Sequence, residues 1–177
     1  MSRFPLTPLL VLSLVAPAAL SAQAAAPDLS DPEVAHVAVT ANSVDIEAAR
    51  FALTRTRNAE VRQFATLMVT DHGAVNAQAT ALATRLGVTP ADNAVSRSLV
   101  DGAATAHRAL EGLRGKAFDR AYLDREIGYH QAVLDALDGL LIPTTENADL
   151  KALLQQVRPA VAAHLAHAKA LRPKLGS

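Results

Sequence analysis

The chain has 177 residues, 17 basic and 17 acidic side chains, 50% hydrophobic residues, 3% aromatics and no cysteine or tryptophan. With zero formal charge and no basic stripe, nucleic acid is excluded as a partner. The missing cysteine excludes disulfides, thiolate ligands, a cysteine nucleophile and a lipoprotein anchor.

The first 24 residues read as an address. Arg3 gives a short positive region, Pro8 to Leu20 an apolar stretch, and Ala22-Gln23-Ala24 the small-x-small pattern cut by signal peptidase. The apolar run is too short for a bilayer core of ~30 Å. We therefore expect residues 1–24 to be a cleaved Sec-type signal peptide, 25–30 a linker and 31–177 one domain. The mature chain is expected in the periplasm or outside the cell, with no membrane span and no lipid anchor. Its composition, rich in Ala, Leu and Val, favours helices over sheets.

Five helices follow from the 3.6-residue period. The first starts at Asp31-Pro32-Glu33, an acidic N-cap before a first-turn proline, with a stripe of Val37, Ala41, Val44, Ala48 and Phe51. The second spans about Ala59 to Leu86, with Phe64, Met68, His72, Val75, Ala79 and Leu82 in register, and stops at Gly87 and Pro90. A weaker helix from about Asn93 to Arg114 belongs to a connection. The next runs from about Lys116 to Ile142 through Leu123, Ile127, His130 and Leu134, closed by Pro143. The last runs from about Asn147 to Pro173 through Leu154, Val157, Val161, His164 and Ala168; Pro159 inside it should remove one backbone bond and bend it.

Four long helices with short links inside each pair, and about 30 residues between the pairs, match a ferritin-like four-helix bundle. Its long crossover carries a short extra helix between the second and third bundle helices. Simple up-down-up-down order is the alternative.

His72, His130 and His164 occupy stripe positions near the middles of three helices. Glu47 falls between Val44 and Phe51 on the first helix. One such residue from each helix can meet in a single layer. Imidazole nitrogens with one carboxylate suit a single transition-metal ion such as Zn, Cu or Fe. Asp71, Glu126 and His167 are reserves or outer partners that could orient the rings. His36 and His107 read as surface or edge residues. The competing reading is a buried polar layer that locks helix register. A di-iron centre is disfavoured, because Val69 and Ile127 stand where Glu-x-x-His pairs would need Glu. No phosphate loop, nucleophile elbow or HExxH is present, so no catalytic residue is assigned and a non-enzymatic role is favoured.

The stretch VDIEAARFALTRTRNAEVRQFATLMVTDHGAVNAQATALATRLGVTP, with Glu47, Phe64-Ala65, Met68-Val69-x-Asp71-His72 and the Gly87 to Pro90 ending, resembles the first helix pair of the bacterial domain-of-unknown-function family numbered 4142. FDRAYLDREIGYHQAVLDAL, with Phe118, Asp119, Tyr122 and His130, resembles its third helix. RPAVAAHLAHAKAL, with Pro159, His164 and Ala168, resembles its fourth. Asn42 and Ser43 stand where the family often carries Gly. The resemblance covers about residues 31–172 and implies an exported, ferritin-like protein of the periplasm or outer membrane; it implies no activity. Two functions follow as expectations: a periplasmic metal-binding protein, or a non-enzymatic structural or interaction protein of the cell envelope.

Overall fold

Three helices begin in the same way, with an asparagine side chain accepting the first free backbone N–H groups. Asn58 Oδ1 accepts from Glu60 and Val61, Asn93 Oδ1 from Val95 and Ser96, and Asn147 Oδ1 from Asp149 and Leu150. These caps open α2 (Ala59–Leu86), α3 (Ala94–Glu111) and α6 (Ala148–Leu171). The computed structural model describes residues 28–176; the expected signal peptide and the first half of the linker lie outside the described residues.

The cap of α1 (Asp31–Arg55) is Ser30, one residue earlier than expected. Its backbone N–H and hydroxyl both donate to Glu33 at 3.0 and 2.7 Å. Asp31 is thereby free to work elsewhere: its carboxylate accepts the backbone N–H groups of Glu146 and Asn147, each at 2.9 Å, tying the start of α1 to the start of α6. At the end of α2, Gly87 takes φ +64°, the left-handed conformation a helix stop favours in glycine.

α4 (Gly115–Ala136) does not run unbroken to Ile142. It widens into a π turn at Leu137–Leu141 before a last short turn, α5 (Ile142–Thr144). Pro159, by contrast, sits within a continuous α6.

Two apolar clusters define the bundle and its directions. One gathers Ala49 and Ala52 of α1, Phe64 and Met68 of α2, Phe118 and Tyr122 of α4, and Ala168 and Leu171 of α6. The other gathers Val34 and Val37, then Leu82, then Leu134 and Leu141, then Leu154 and Val161. Thus α1 and α6 run one way, while α2 and α4 run the other. This is the order of two antiparallel hairpins joined by a long crossover, not up-down-up-down.

The crossover is α3. Asn93 at its start donates to the Glu33 carbonyl, and the His107 ring near its end packs tilted against Phe51, centroids 4.3 Å apart. α3 therefore lies along the outer face of α1, parallel to it, and returns the chain to the far end of the bundle. Phe64, Met68, Phe118, Tyr122 and Leu123 are completely buried. Each such side chain contributes about 1.5–3 kcal/mol. Between the two apolar halves lies a layer of a different kind, formed by Asn42, Asp45, His72, Glu126, His130 and His164, all buried.

Candidate metal centre

The polar layer forms where four helices present one or two polar residues at the same height. α1 contributes Asn42 and Asp45, α2 His72, α4 Glu126 and His130, and α6 His164. The three rings form a close triangle. Their centroids are 5.6 Å apart for His72–His130, 5.2 Å for His72–His164 and 5.4 Å for His130–His164. One ring nitrogen from each lies within 4.8 Å of the other two.

Each ring is held by its other nitrogen. His72 Nδ1 is 2.7 Å from Asn42 Oδ1. The Asn42 amide NH₂ donates to the Ala38 carbonyl at 3.0 Å, so the atom facing His72 is an acceptor and Nδ1 carries the proton. His130 Nδ1 donates to the Glu126 carbonyl one turn back, at 2.9 Å. His164 Nε2 lies 2.8 Å from the Asp71 carboxylate and donates to it. That leaves His72 Nε2, His130 Nε2 and His164 Nδ1. All three are buried, and none has a hydrogen-bond partner. A buried nitrogen without a partner normally costs about 1–3 kcal/mol. Three of them, on three rings in one close triangle, is an arrangement that a cation would satisfy.

The carboxylate facing this triangle is Asp45, which is fully buried. Its Oδ2 lies 3.1 Å from His72 Nε2 and 4.0 Å from His130 Nε2, and forms no aligned hydrogen bond. With the His72 proton on Nδ1, a neutral His72 sets a lone pair against a carboxylate oxygen. Either a second proton on His72 or a metal ion between the two removes that repulsion. The other oxygen of Asp45, Oδ1, accepts from Arg125 Nη1, which also donates to Glu126 Oε1 at 2.7 Å.

Burial and charge set the protonation of the layer. Burial pushes the Asp45 carboxyl up, but the His72 ring, Arg125 and His130 outweigh it and hold Asp45 well below the usual carboxylate range. Burial, reinforced by the Asp45 charge, pushes Glu126 well above that range against the pull of Arg125. Burial lowers His130 to about 4, although Asp45 pulls the other way. Burial also lowers His164, opposed by its bond to Asp71. At neutral pH His130 and His164 therefore keep the lone pairs that a metal requires.

The structure thus brings His72, His130 and His164 together with Glu126 close by and Asp71 behind His164. It does not bring Glu47 or His167. Glu47 is exposed and lines a crevice between α1 and α3 with Phe51 and His107. His167 is exposed, its ring edge-on to Phe64 at 5.2 Å. The inward placement expected of Glu47 is corrected by two buried faces on α1. Val44 and Phe51 turn toward α3, while Val34, Val37, Asn42, Asp45, Ala49 and Ala52 turn into the bundle. The aliphatic stripe in the sequence belongs largely to the α3 side. Asn42 and Asp45 were legible only as polar members of the second stripe, which runs on to Ala49 and Ala52 at steps of three and four.

An apolar cavity of about 90 Å³ lies in the half of the bundle nearer Asp31, among Ala38, Ala79, Val133, Leu154 and Val157, and it ends against His72 and His130. Among the described residues, no helix is long and apolar enough to cross a membrane.

The family model "Domain of unknown function (DUF4142)" matches residues 16–171. No curated protein matches the chain significantly. Two solved structures share the fold. A DUF305 fragment from Deinococcus radiodurans is 17% identical, with a TM-score of 0.69 over 84% of this chain and 99% of that one. CopM in the Cu(II)-bound form is 14% identical, with a TM-score of 0.63 over 84% of this chain and 99% of that one.

Proposed function

The chain belongs to the DUF4142 family, and from that premise we propose that it binds one transition-metal ion in the polar layer, through His72, His130, His164 and Asp45. One observation carries the reading. Three buried imidazoles, whose rings form a close triangle, each commit one nitrogen to a protein acceptor and leave the other buried and unpartnered. Three nitrogens and one carboxylate are a ligand set for Zn, Cu or Fe, and the bound ion would supply a positive charge that the four groups otherwise lack. Asn42, the Glu126 carbonyl and Asp71 fix the ring orientations. Copper is the first ion to try, because a neighbour in fold was solved in a Cu(II)-bound form.

The role that fits is metal binding or buffering outside the cytoplasm, after removal of residues 1–24. The cavity that ends against His72 and His130 is apolar, which favours holding an ion over turning over a polar substrate. A second reading, a register-locking layer of the cell envelope with no ion, draws support from the ion pair of Arg125 with Asp45, which ties α1 to α4 without any metal.

The mature chain, purified without a histidine tag or chelator, separates the two. About one equivalent of metal by elemental analysis, lost in His72→Leu or His164→Leu variants that remain folded, is the expected result. Below a tenth of an equivalent, with no thermal shift on adding Cu, Zn or Fe, the metal reading ends and the locking layer remains.

A further inference from the structure

We infer that Arg125 fills a second cation position beside the metal site with its own guanidinium, and thereby limits the centre to one ion. The inference rests on the metal-binding reading above and concerns how many ions the layer takes.

The geometry has two halves that share residues. One ligand atom each from His72, His130 and His164 lie within 4.8 Å of one another, and so do one each from Asp45, Glu126 and His130. His130 thus belongs to both groups. Asp45 faces both ways, with Oδ2 toward the histidines and Oδ1 toward Glu126 and Arg125. A carboxylate divided between two neighbouring positions, with a second carboxylate on one side, is the pattern of a two-cation site. In this chain the position between Asp45 Oδ1 and Glu126 Oε1 is taken by Arg125 Nη1, which donates to both.

Arg125 is built in. Its side chain is only 10% exposed, and its guanidinium carbon lies 4.3 Å from the centre of the Tyr129 ring. Tyr129 is itself anchored by its hydroxyl, which donates to the Ala41 carbonyl at 2.6 Å. A guanidinium cannot lose its proton inside a protein and carries one permanent positive charge. A metal ion on the same oxygens would have to displace it. Glu126 Oε2, buried and without a hydrogen-bond partner, is the atom such an ion would claim.

The experiment compares copper and zinc stoichiometry in the mature wild type, Arg125→Met, Arg125→Lys and the double variant Arg125→Met with Glu126→Gln. Met keeps a flexible, unbranched apolar stem but removes the guanidinium and its charge. We expect one equivalent in the wild type, two in Arg125→Met, one in Arg125→Lys and one in the double variant. With Cu(II), the doubly loaded variant should also lose paramagnetic resonance intensity per copper, because two close ions couple. If Arg125→Met fails to fold without metal, refolding that requires the second equivalent supports the inference, and failure to refold at millimolar metal counts against it. One equivalent in a folded Arg125→Met overturns the inference and leaves the metal reading standing. No metal in the wild type defeats that reading instead; an Arg125→Met variant that then gains an equivalent still supports the assignment of Arg125, and one that gains none sinks both.

Discussion

His72 Nδ1 lies 2.7 Å from Asn42 Oδ1, and that contact decides which nitrogen of His72 is free. Asn42 can hold the ring this way because its own amide is turned by a bond to the Ala38 carbonyl. Replacing it with leucine keeps a similar volume but removes the acceptor. Outer partners of this kind are worth about 10–100-fold in metal affinity. Asn42→Leu should therefore remain helical by circular dichroism and bind copper or zinc roughly tenfold or more weakly in a chelator competition. Unchanged affinity would show that His72 is not a ligand through Nε2.

Two carboxylates on α1, two residues apart, should behave in opposite ways. Asp45 is buried between Arg125 and the histidines. Asp45→Asn leaves the Arg125 charge with a weaker partner, and breaking such a buried pair costs about 3–5 kcal/mol. Glu47 is exposed, and Glu47→Gln should change stability by no more than about 0.5 kcal/mol. Urea denaturation measures both. The same two variants test the ligand set, since only Asp45→Asn should reduce metal uptake.

The fold was legible in the sequence because its signals are local. Asn58, Asn147, Gly87 and the apolar period mark the helix ends within a residue or two. The long segment between Gly87 and Gly115 implied the crossover. The three histidines were legible for the same reason, each being a polar interruption of an otherwise apolar stripe. The carboxylate was not, because α1 buries two faces and the more aliphatic one packs on α3. Arg125 was hidden for a different reason. A long charged side chain beside Glu126 reads as surface, and only the tertiary structure folds it back onto Tyr129 and Asp45.

The metal-free protein should lose stability as the solution is acidified through the histidine range. In the folded state burial holds His130 at about 4, against the usual 6.5. His164 is lowered as well. Below pH 6.5 the unfolded chain therefore takes up protons that the folded chain refuses. The histidine contribution is complete above about pH 6.5 and falls as pH drops toward 4, opposed by Glu126, whose raised carboxyl favours the folded state as it is protonated. The His130 difference alone corresponds to up to about 3 kcal/mol. Urea midpoints at pH 7.5, 6, 5 and 4 check the slope. A flat profile down to pH 4 would show that the histidines are solvated or already charged. Bound metal should steepen the loss, because protons then compete with the ion for the same nitrogens.

The apolar cavity beside His72 and His130 offers a test that leaves the polar layer untouched. A void of about 90 Å³ represents about 2 kcal/mol of lost packing at roughly 24 cal/mol per Å³. Ala79 lies on its wall, two turns along α2 from His72, and Leu154 and Val157 line the same space. Leucine is nearly as good a helix former as alanine, and its added carbons would project into the void rather than into packed atoms. Ala79→Leu should recover about half of that energy, raising the melting temperature by roughly 2–4 °C in a domain of this size, with metal stoichiometry unchanged. Destabilisation by more than about 1 kcal/mol would mean that the walls close on the space in solution, and that the bundle beside the histidines is packed more tightly than the cavity implies.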